Sequence, residues 1–381
     1  MFIIQRLPVL VQPYRRSIIL LSVVVDNLLK LYWCVIIVVM NYLIITFDGF
    51  GDGVMYYPIF TEIGKEMPKS SFFYTSNIFF SDDVIKNKIK LPPNFIPAKD
   101  SFRKFPKDCW QEVKTFIKNN NIDAVINLRT IGRRFEKDYY DFKDCLISEN
   151  NGVAFWDDEI LKDEERTNIN IRNIISKIVE KATGKKLSGD VPNLKELFLK
   201  TENPDRILIN MHSRGLFKSW EPDKWAQLIQ FLVTFGKKVD IYKGSGDEKL
   251  YTKNILEKMS PLIRNKLTIS QATNLYELGS LLSNTFLVIS VDSGIIHLAD
   301  ALGVNSLGIY LTTSPLMWGG ITKKFNYVCS SHMSMCKNFY PSFGMCINNK
   351  RKCEEISGEK DDINTESVLQ KVNEIYNEKK N

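Results

Sequence analysis

Asp292, Ser293 and Gly294 fall at the turn between an apolar run, Val288 to Val291, and the amphipathic stretch Ile295 to Gly303, an order that reads as strand, sharp turn and helix start. A helix leaves its first amide N–H groups unpaired, and those donors with the helix dipole bind anions such as phosphate. His297 lies four residues after Ser293, which predicts both side chains on one helical face, directed at the same spot. An ordinary strand-to-helix connection with an Asp or Ser N-cap would use the same residue types. A second candidate, Phe47-Asp-Gly-Phe-Gly-Asp-Gly-Val54, follows a strand pattern and opens a helix. Gly49, Gly51 and Gly53 allow a ligand to approach the backbone closely. They run G-x-G-x-G, however, and no acidic residue closes a second strand about 20 positions on, so a dinucleotide fingerprint is not made. Asp52 reads either as a catalytic base facing a cleft or as an N-cap, with Asp48 competing for the same place.

The three histidines, His212, His297 and His332, all stand in the second half. Acid–base chemistry in the first half therefore falls to a carboxylate, Lys, Tyr or Cys. Of the seven cysteines, Cys34, Cys109 and Cys145 are scattered like the reduced thiols of a cytosolic protein. Cys329, Cys336, Cys346 and Cys353 crowd together as C-x6-C-x9-C-x6-C. Four thiolates bind zinc or iron tetrahedrally, and His332 could replace one, although the C-x2-C spacing of common zinc sites is missing. The alternatives are a structural ion far from the chemistry and a surface loop of reduced thiols. No Asp-x-Asp pair stands at a strand end, since Asp361-Asp362 lies in a late polar stretch. The chemistry at the turns is thus expected to require no metal or other cofactor.

These residues need a frame, and composition supplies one. With 381 residues, 44% hydrophobic and 25% charged, the chain can bury two cores of ordinary size. The net charge of +7 is spread along it, which suits anionic small molecules or a membrane surface and argues against a dedicated nucleic-acid binder. From Tyr42 onward strand and helix patterns alternate, the mark of parallel α/β sheets. Strands are expected at 42–47, 72–74, 124–128, 206–211, 238–242, 286–291 and 306–310, and helices at 54–65, 109–119, 169–181, 222–235, 248–259, 275–282, 293–302 and 365–376. Polar sequence around Thr183 to Asn203 reads as a connector. The expected architecture is two Rossmann-like, doubly wound α/β domains facing a cleft, with ligands at the carboxyl ends of the strands. Their limits are 40–200 and 201–360, the latter with the cysteine-rich loop 329–353, and 361–381 carries the last helix. Residues 1–39 are a hydrophobic extension in which Asp26, Asn27 and Lys30 interrupt the apolar run. Three readings stay open for it: a membrane anchor with Arg6, Arg15 and Arg16 on the cytoplasmic side, a true start at Met40, or a buried helix.

Gly51-Asp-Gly-Val-Met-Tyr-Tyr-Pro58 resembles the glycine, aspartate and downstream proline of the heptosyltransferases, glycosyltransferase family nine. Ser290 to Gly303, followed by Tyr310-Leu-Thr-Thr-Ser-Pro315, is similar to that family's nucleotide-sugar signature. Asn210-Met-His-Ser-Arg-Gly-Leu-Phe-Lys-Ser-Trp220, with Trp225 after it, resembles its central basic loop. The resemblance runs in order from about Tyr42 to Tyr376 and implies a GT-B enzyme. Its C-terminal domain would hold a nucleotide diphosphate sugar, ADP-heptose being the leading donor, and its N-terminal domain the acceptor, with inversion at the anomeric carbon. It implies Asp52 as general base in a loop with Gly51 and Gly53, and Asp292, Ser293, Gly294 and His297 around the diphosphate. Lys218 matches the basic residue of the central motif, and Arg214 adds positive potential beside it. Leu311 and Thr312 replace the family's usual glycine and proline, which puts the shape of the base or phosphate pocket in doubt. A cysteine-clustered loop also occurs in the iron-binding, autotransporter-modifying members.

Inverting transfer needs a base for the acceptor hydroxyl and positive potential for the departing diphosphate, and Asp52 with Lys218, Arg214 and the Ser293 helix start would supply both. The expected activity is sugar transfer, most simply of heptose, to a lipopolysaccharide core or other surface glycan, in the cytoplasm and at the inner face of its membrane. Two alternatives remain: a protein O-heptosyltransferase, and a non-catalytic nucleotide-sugar-binding protein. A Rossmann oxidoreductase is disfavoured by the poor dinucleotide loop.

Overall fold

The computed structural model describes residues 3–11, 14–22, 37–46, 49–75, 77–98, 110–129, 136–148, 151–155, 169–190, 193–198, 205–213, 218–244, 248–331, 339–340, 345–346, 352–353, 358–359 and 362–378. Asp48, Arg214, His332 and Cys336 lie outside them.

β1 (Ile3–Val11), β2 (Tyr14–Ser22) and β3 (Ile37–Val39) form an antiparallel sheet in which Ile3 faces Ser22 and Ser17 faces Val39. The apolar run considered for an anchor helix therefore begins as strand, because short runs rich in Ile, Leu and Val suit either state. Among the described residues no helix is long and apolar enough to cross a membrane.

The first parallel unit starts with β4 (Asn41–Ile45), whose Tyr42 to Ile45 are all buried, as a strand covered on both faces requires. α1 (Phe50–Glu66), β5 (Ser71–Tyr74), α2 (Ile78–Ser81), α3 (Ile85–Lys88) and β6 (Phe95–Pro97) follow. Then come α4 (Trp110–Asn119), β7 (Ala124–Asn127), α5 (Glu136–Ser148), β8 (Gly152–Phe155) and α6 (Ile171–Thr183). The strand order is β6-β5-β4-β7-β8, all parallel.

The second unit opens with β9 (Arg206–Asn210), α7 (Pro222–Thr234), β10 (Lys238–Tyr242), α8 (Glu248–Glu257), α9 (Pro261–Arg264) and β11 (Thr268–Ser270). It continues with α10 (Leu275–Ser283), β12 (Leu287–Val291), α11 (Gly294–Ala301), β13 (Asn305–Tyr310), α12 (Pro315–Trp318) and β14 (Phe325–Cys329). Its parallel sheet has the order β11-β10-β9-β12-β13-β14. Two small antiparallel pairs follow, β15 (Phe339–Tyr340) with β16 (Met345–Cys346), and β17 (Lys352–Cys353) with β18 (Gly358–Glu359). α13 (Thr365–Glu378) returns to the second unit, burying Val368, Val372 and Ile375 in the core that contains Leu228 and Ile309.

In both sheets the strand order reverses beside the first strand, between β4 and β7 and between β9 and β12. In open α/β sheets ligands bind at the carboxyl ends of the strands at such a reversal. Asp52 follows β4, Lys218 follows β9 and Asp292 follows β12, so chain order alone delivers all three to those edges.

The two units share a core. Tyr42, Phe60 and Ile126 of the first belong to the same buried cluster as Leu208, Val288, Ile295 and Leu298 of the second. Polar contacts cross elsewhere: Leu275 N donates to Asp82 Oδ2 at 3.1 Å, and Asn170 Nδ2 donates to the Gly319 carbonyl at 3.1 Å. The Lys88 ammonium stands 4.4 Å from the centre of the Tyr276 ring.

Candidate active site

α1 starts earlier than its sequence suggests, at Phe50, so Gly51, Asp52 and Gly53 lie in its first turn. Glycine is disfavoured there by about 1 kcal/mol each, and tertiary contact explains its use. A Cβ at Gly51 would stand 2.6 Å from Gly294 Cα and 3.0 Å from His297 Cδ2, and one at Gly294 would stand 2.8 Å from Phe50 Cζ and 3.0 Å from Gly51 N. The starts of α1 and α11 thus meet main chain against main chain. Gly53 is held free of a side chain by Asn77 and Phe79. Asp52 turns back so that its Oδ2 fills the space a side chain at Gly49 would need. Gly49 is the N-cap residue, without a side-chain cap of its own.

Ser293 is the N-cap of α11, with φ −155° and ψ 164°, and makes no side-chain capping bond. Its hydroxyl is 2.9 Å from Ser290 Oγ and accepts from Asn210 Nδ2 at 3.1 Å, while the same amide donates to Ser290 Oγ at 2.9 Å. Asn210 thereby bridges the reversal between β9 and β12. The extended backbone of Ser293 is the usual conformation of an N-cap residue. Its hydroxyl is engaged by Asn210 and Ser290 instead and does not cap the first-turn amides, the donors that bind anions at helix starts.

Asp292 is buried. Its Oδ2 accepts from Lys218 Nζ at 2.6 Å and from Thr313 Oγ1 at 2.7 Å. A carboxylate cannot donate to a phosphate, and it serves here by fixing an ammonium and a hydroxyl beside the helix start. Thr313 carries no signal of this role in the sequence beyond its place in the segment after β13. Leu311 and Thr312, the departures from the family pattern, are both buried, and Thr312 Oγ1 has no hydrogen-bond partner among the described residues.

His297 sits one turn into α11, partly covered, with its Cδ2 edge toward Gly51. Burial pulls its pKa below the usual imidazole value; Asp292 and Asp300 pull upward, and Arg172 and Lys218 push down with the burial. Asp300 caps the following turn, accepting from Ile321 N at 2.9 Å and Thr322 N at 3.2 Å. Arg172, on α6, is buried beside it; one amino group donates to the Asp190 carbonyl, and Nε and Nη1 have no partner among the described residues. Burial brings the pKa of that guanidinium down to about 10 against the pull of Asp300 and Asp190. His212 is a core residue, its Nε2 lying 2.7 Å from Thr252 Oγ1.

The structure thus brings together Gly51, Asp52, Gly294, His297, Asp292 and Lys218, and adds Asn210, Ser290, Thr313 and Asn77, which sequence patterns did not single out. Arg214 falls outside the described residues. Of the cysteines, Cys329 ends β14 as an exposed free thiol, and Cys346 and Cys353 lie on β16 and β17. Among the described residues no group of three or more His, Cys, Asp or Glu could hold a metal ion.

Residues 178–342, which contain β9 to β14 with Lys218, Asp292 and His297, match the model of glycosyltransferase family 9 (heptosyltransferase). That match covers less than half of the chain. The lipopolysaccharide heptosyltransferase 1 of Salmonella typhimurium is 25% identical over 118 residues, 31% of this chain and 36% of that protein, so the aligned part spans about a third of the relative's length. The E. coli heptosyltransferase WaaC with ADP superposes with a TM-score of 0.56 at 18% identity, over 88% of this chain and 100% of that one. The iron-containing dodecameric glycosyltransferase TibC from enterotoxigenic E. coli does so with a TM-score of 0.53 at 13% identity, over 96% and 86%. Those likenesses establish the fold, a GT-B pair of parallel α/β units, and most of the matched residues lie in the second unit.

Proposed function

We propose that the protein is an inverting glycosyltransferase that moves a sugar, heptose in the leading case, from a nucleotide diphosphate donor such as ADP-heptose to a lipopolysaccharide core or other surface glycan. The observation that carries this is the contact between Gly51 and Gly294. It supports the reading because it brings the turn that carries Asp52 to the start of α11, the end at which a helix can hold a donor diphosphate. Asp52 takes the proton of the acceptor hydroxyl as that oxygen bonds to the anomeric carbon, and the bond to the diphosphate breaks on the opposite face. The negative charge that develops on the leaving group meets Lys218, the amides of α11 and His297. Arg214 belongs to the same basic loop and joins this set. A lipid-borne acceptor would bring the enzyme to the inner face of the cytoplasmic membrane.

The test supplies ADP-heptose with a heptose-free lipopolysaccharide core oligosaccharide and measures ADP release. Asp52→Asn keeps the shape and removes the basic lone pair, so ADP affinity stays while turnover falls about 100- to 10,000-fold. Near-normal turnover in that variant defeats the assignment and moves the search to Asp48, because Glu62 is already engaged by Ser188 N at 2.6 Å and Ser188 Oγ at 2.9 Å. ADP binding without turnover on glycan or protein acceptors favours a binding protein, and turnover on a protein alone favours a protein O-heptosyltransferase.

A further inference from the structure

The loop that carries Asp52 is tied down by a residue from another segment. Asn77, between β5 and α2, is fully buried. Its Oδ1 accepts from Phe79 N at 2.8 Å and caps α2, while its Nδ2 donates to the Gly49 carbonyl at 2.9 Å. That carbonyl is the one at which α1 begins, for it also accepts from Gly53 N at 3.2 Å. A side chain at Gly53 would collide with Asn77 Oδ1, so the glycine is what lets the amide pass beneath the first turn. The exit of β4 is fastened to the exit of β5 as well: Thr46 N donates to Thr75 Oγ1 at 2.9 Å, and Thr46 Oγ1 donates to the Thr75 carbonyl at 3.1 Å.

Capping α2 does not by itself call for asparagine, since Asp and Ser cap as well. An amide differs in offering an acceptor and a donor from one short side chain. We propose that Asn77 is a positioning residue for catalysis, its amide holding the Gly49 carbonyl so that the turn bearing Asp52 stays seated against the start of α11. The proposal rests on Asp52 being the base. A loop released by 1 Å would misplace the carboxylate enough to cost about 100-fold in rate.

Two substitutions separate positioning from capping. Asn77→Asp keeps the shape and the α2 cap but turns the donor into an acceptor facing a carbonyl. Asn77→Ser keeps the cap and is too short to reach Gly49. With ADP-heptose and the core oligosaccharide, both should lower kcat about 10- to 100-fold and leave ADP affinity unchanged. In an Asp52→Asn background neither should lower the residual rate further, because residues acting as one unit are not additive. Wild-type kcat in Asn77→Asp, or in Asn77→Ser should the first variant not fold, overturns the proposal, and so does an independent further loss in the double variant. A wild-type rate in Asp52→Asn alone refutes the base and the strut together, whereas an inactive Asp52→Asn beside a fully active Asn77→Asp refutes only the strut.

Discussion

Gly51→Ala places a Cβ 2.6 Å from Gly294 Cα and 3.0 Å from His297 Cδ2, whereas carbon atoms settle at about 3.5–4.0 Å. Relief requires the starts of α1 and α11 to part by about 1 Å. Stability should register this weakly, because alanine gains about 1 kcal/mol over glycine within a helix and overpacking costs about 1–3 kcal/mol. Turnover has no such offset: a 1 Å gap between the base and the departing diphosphate is worth about 100-fold. The assay is ADP release from ADP-heptose with the core oligosaccharide, run beside thermal melting and ADP titration. Gly64→Ala is the control, for its Cβ would press on Pro92 at 2.7 Å on the same helix, far from α11; the same two terms make its stability change small, and it should leave kcat intact. Wild-type kcat in Gly51→Ala would show that the contact between the two helix starts does not set the reacting distance.

The lowered pKa of His297 gives a pH dependence of known sign. The unfolded chain binds a proton at a pH where the folded one does not, so stability present above pH 6.5 is lost as the pH falls below that value toward the folded pKa; His297→Gln should flatten that limb of a melting-versus-pH curve, and an unchanged limb would assign it to another group. Diphosphate charge should raise the same pKa, so ADP binding near pH 6 should take up protons, seen as a buffer-dependent heat in titration calorimetry, and no uptake would separate His297 from the phosphates. Lys218→Met should weaken ADP about 10- to 100-fold, the value of one charged hydrogen bond, and leave adenosine binding nearly unchanged; equal losses for both would remove Lys218 from the diphosphate site. Cys336, Cys346 and Cys353, with Cys329 or His332, should hold about one structural zinc or iron per chain, and below about a tenth of an equivalent by elemental analysis, with all thiols titratable, the cluster has no metal role.

The parallel architecture was legible because buried strands such as Leu287–Val291 and Arg206–Asn210 are apolar, compact and followed by helices with start signals. The edge strands β6 and β11 were not, since three residues apiece are too few to show a period and Thr268–Ser270 is largely exposed. β1 to β3 were missed for the opposite reason, an apolar run that fits helix and strand alike. At the site, Asp52, Asp292 and His297 stood out because they lie where a strand gives way to a helix, and Lys218 because its segment resembles the family's central basic loop. Thr313 and Asn77 did not, because their roles arise from partners 21 and 28 residues away, Asp292 and Gly49, a separation no local pattern encodes.

The shared core under the two sheets bears on how such a protein can be inherited and taken apart. Domains joined by small, polar interfaces move freely and survive separation. Here Leu208, Val288 and Ile295 are packed in one cluster with Tyr42 and Phe60, so cutting the chain near residue 200 would lay bare apolar surface on both fragments. The halves should therefore unfold together, seen as one calorimetric transition where separable domains would give two, and exchanging either for its counterpart from another protein would require recasting the surface between them.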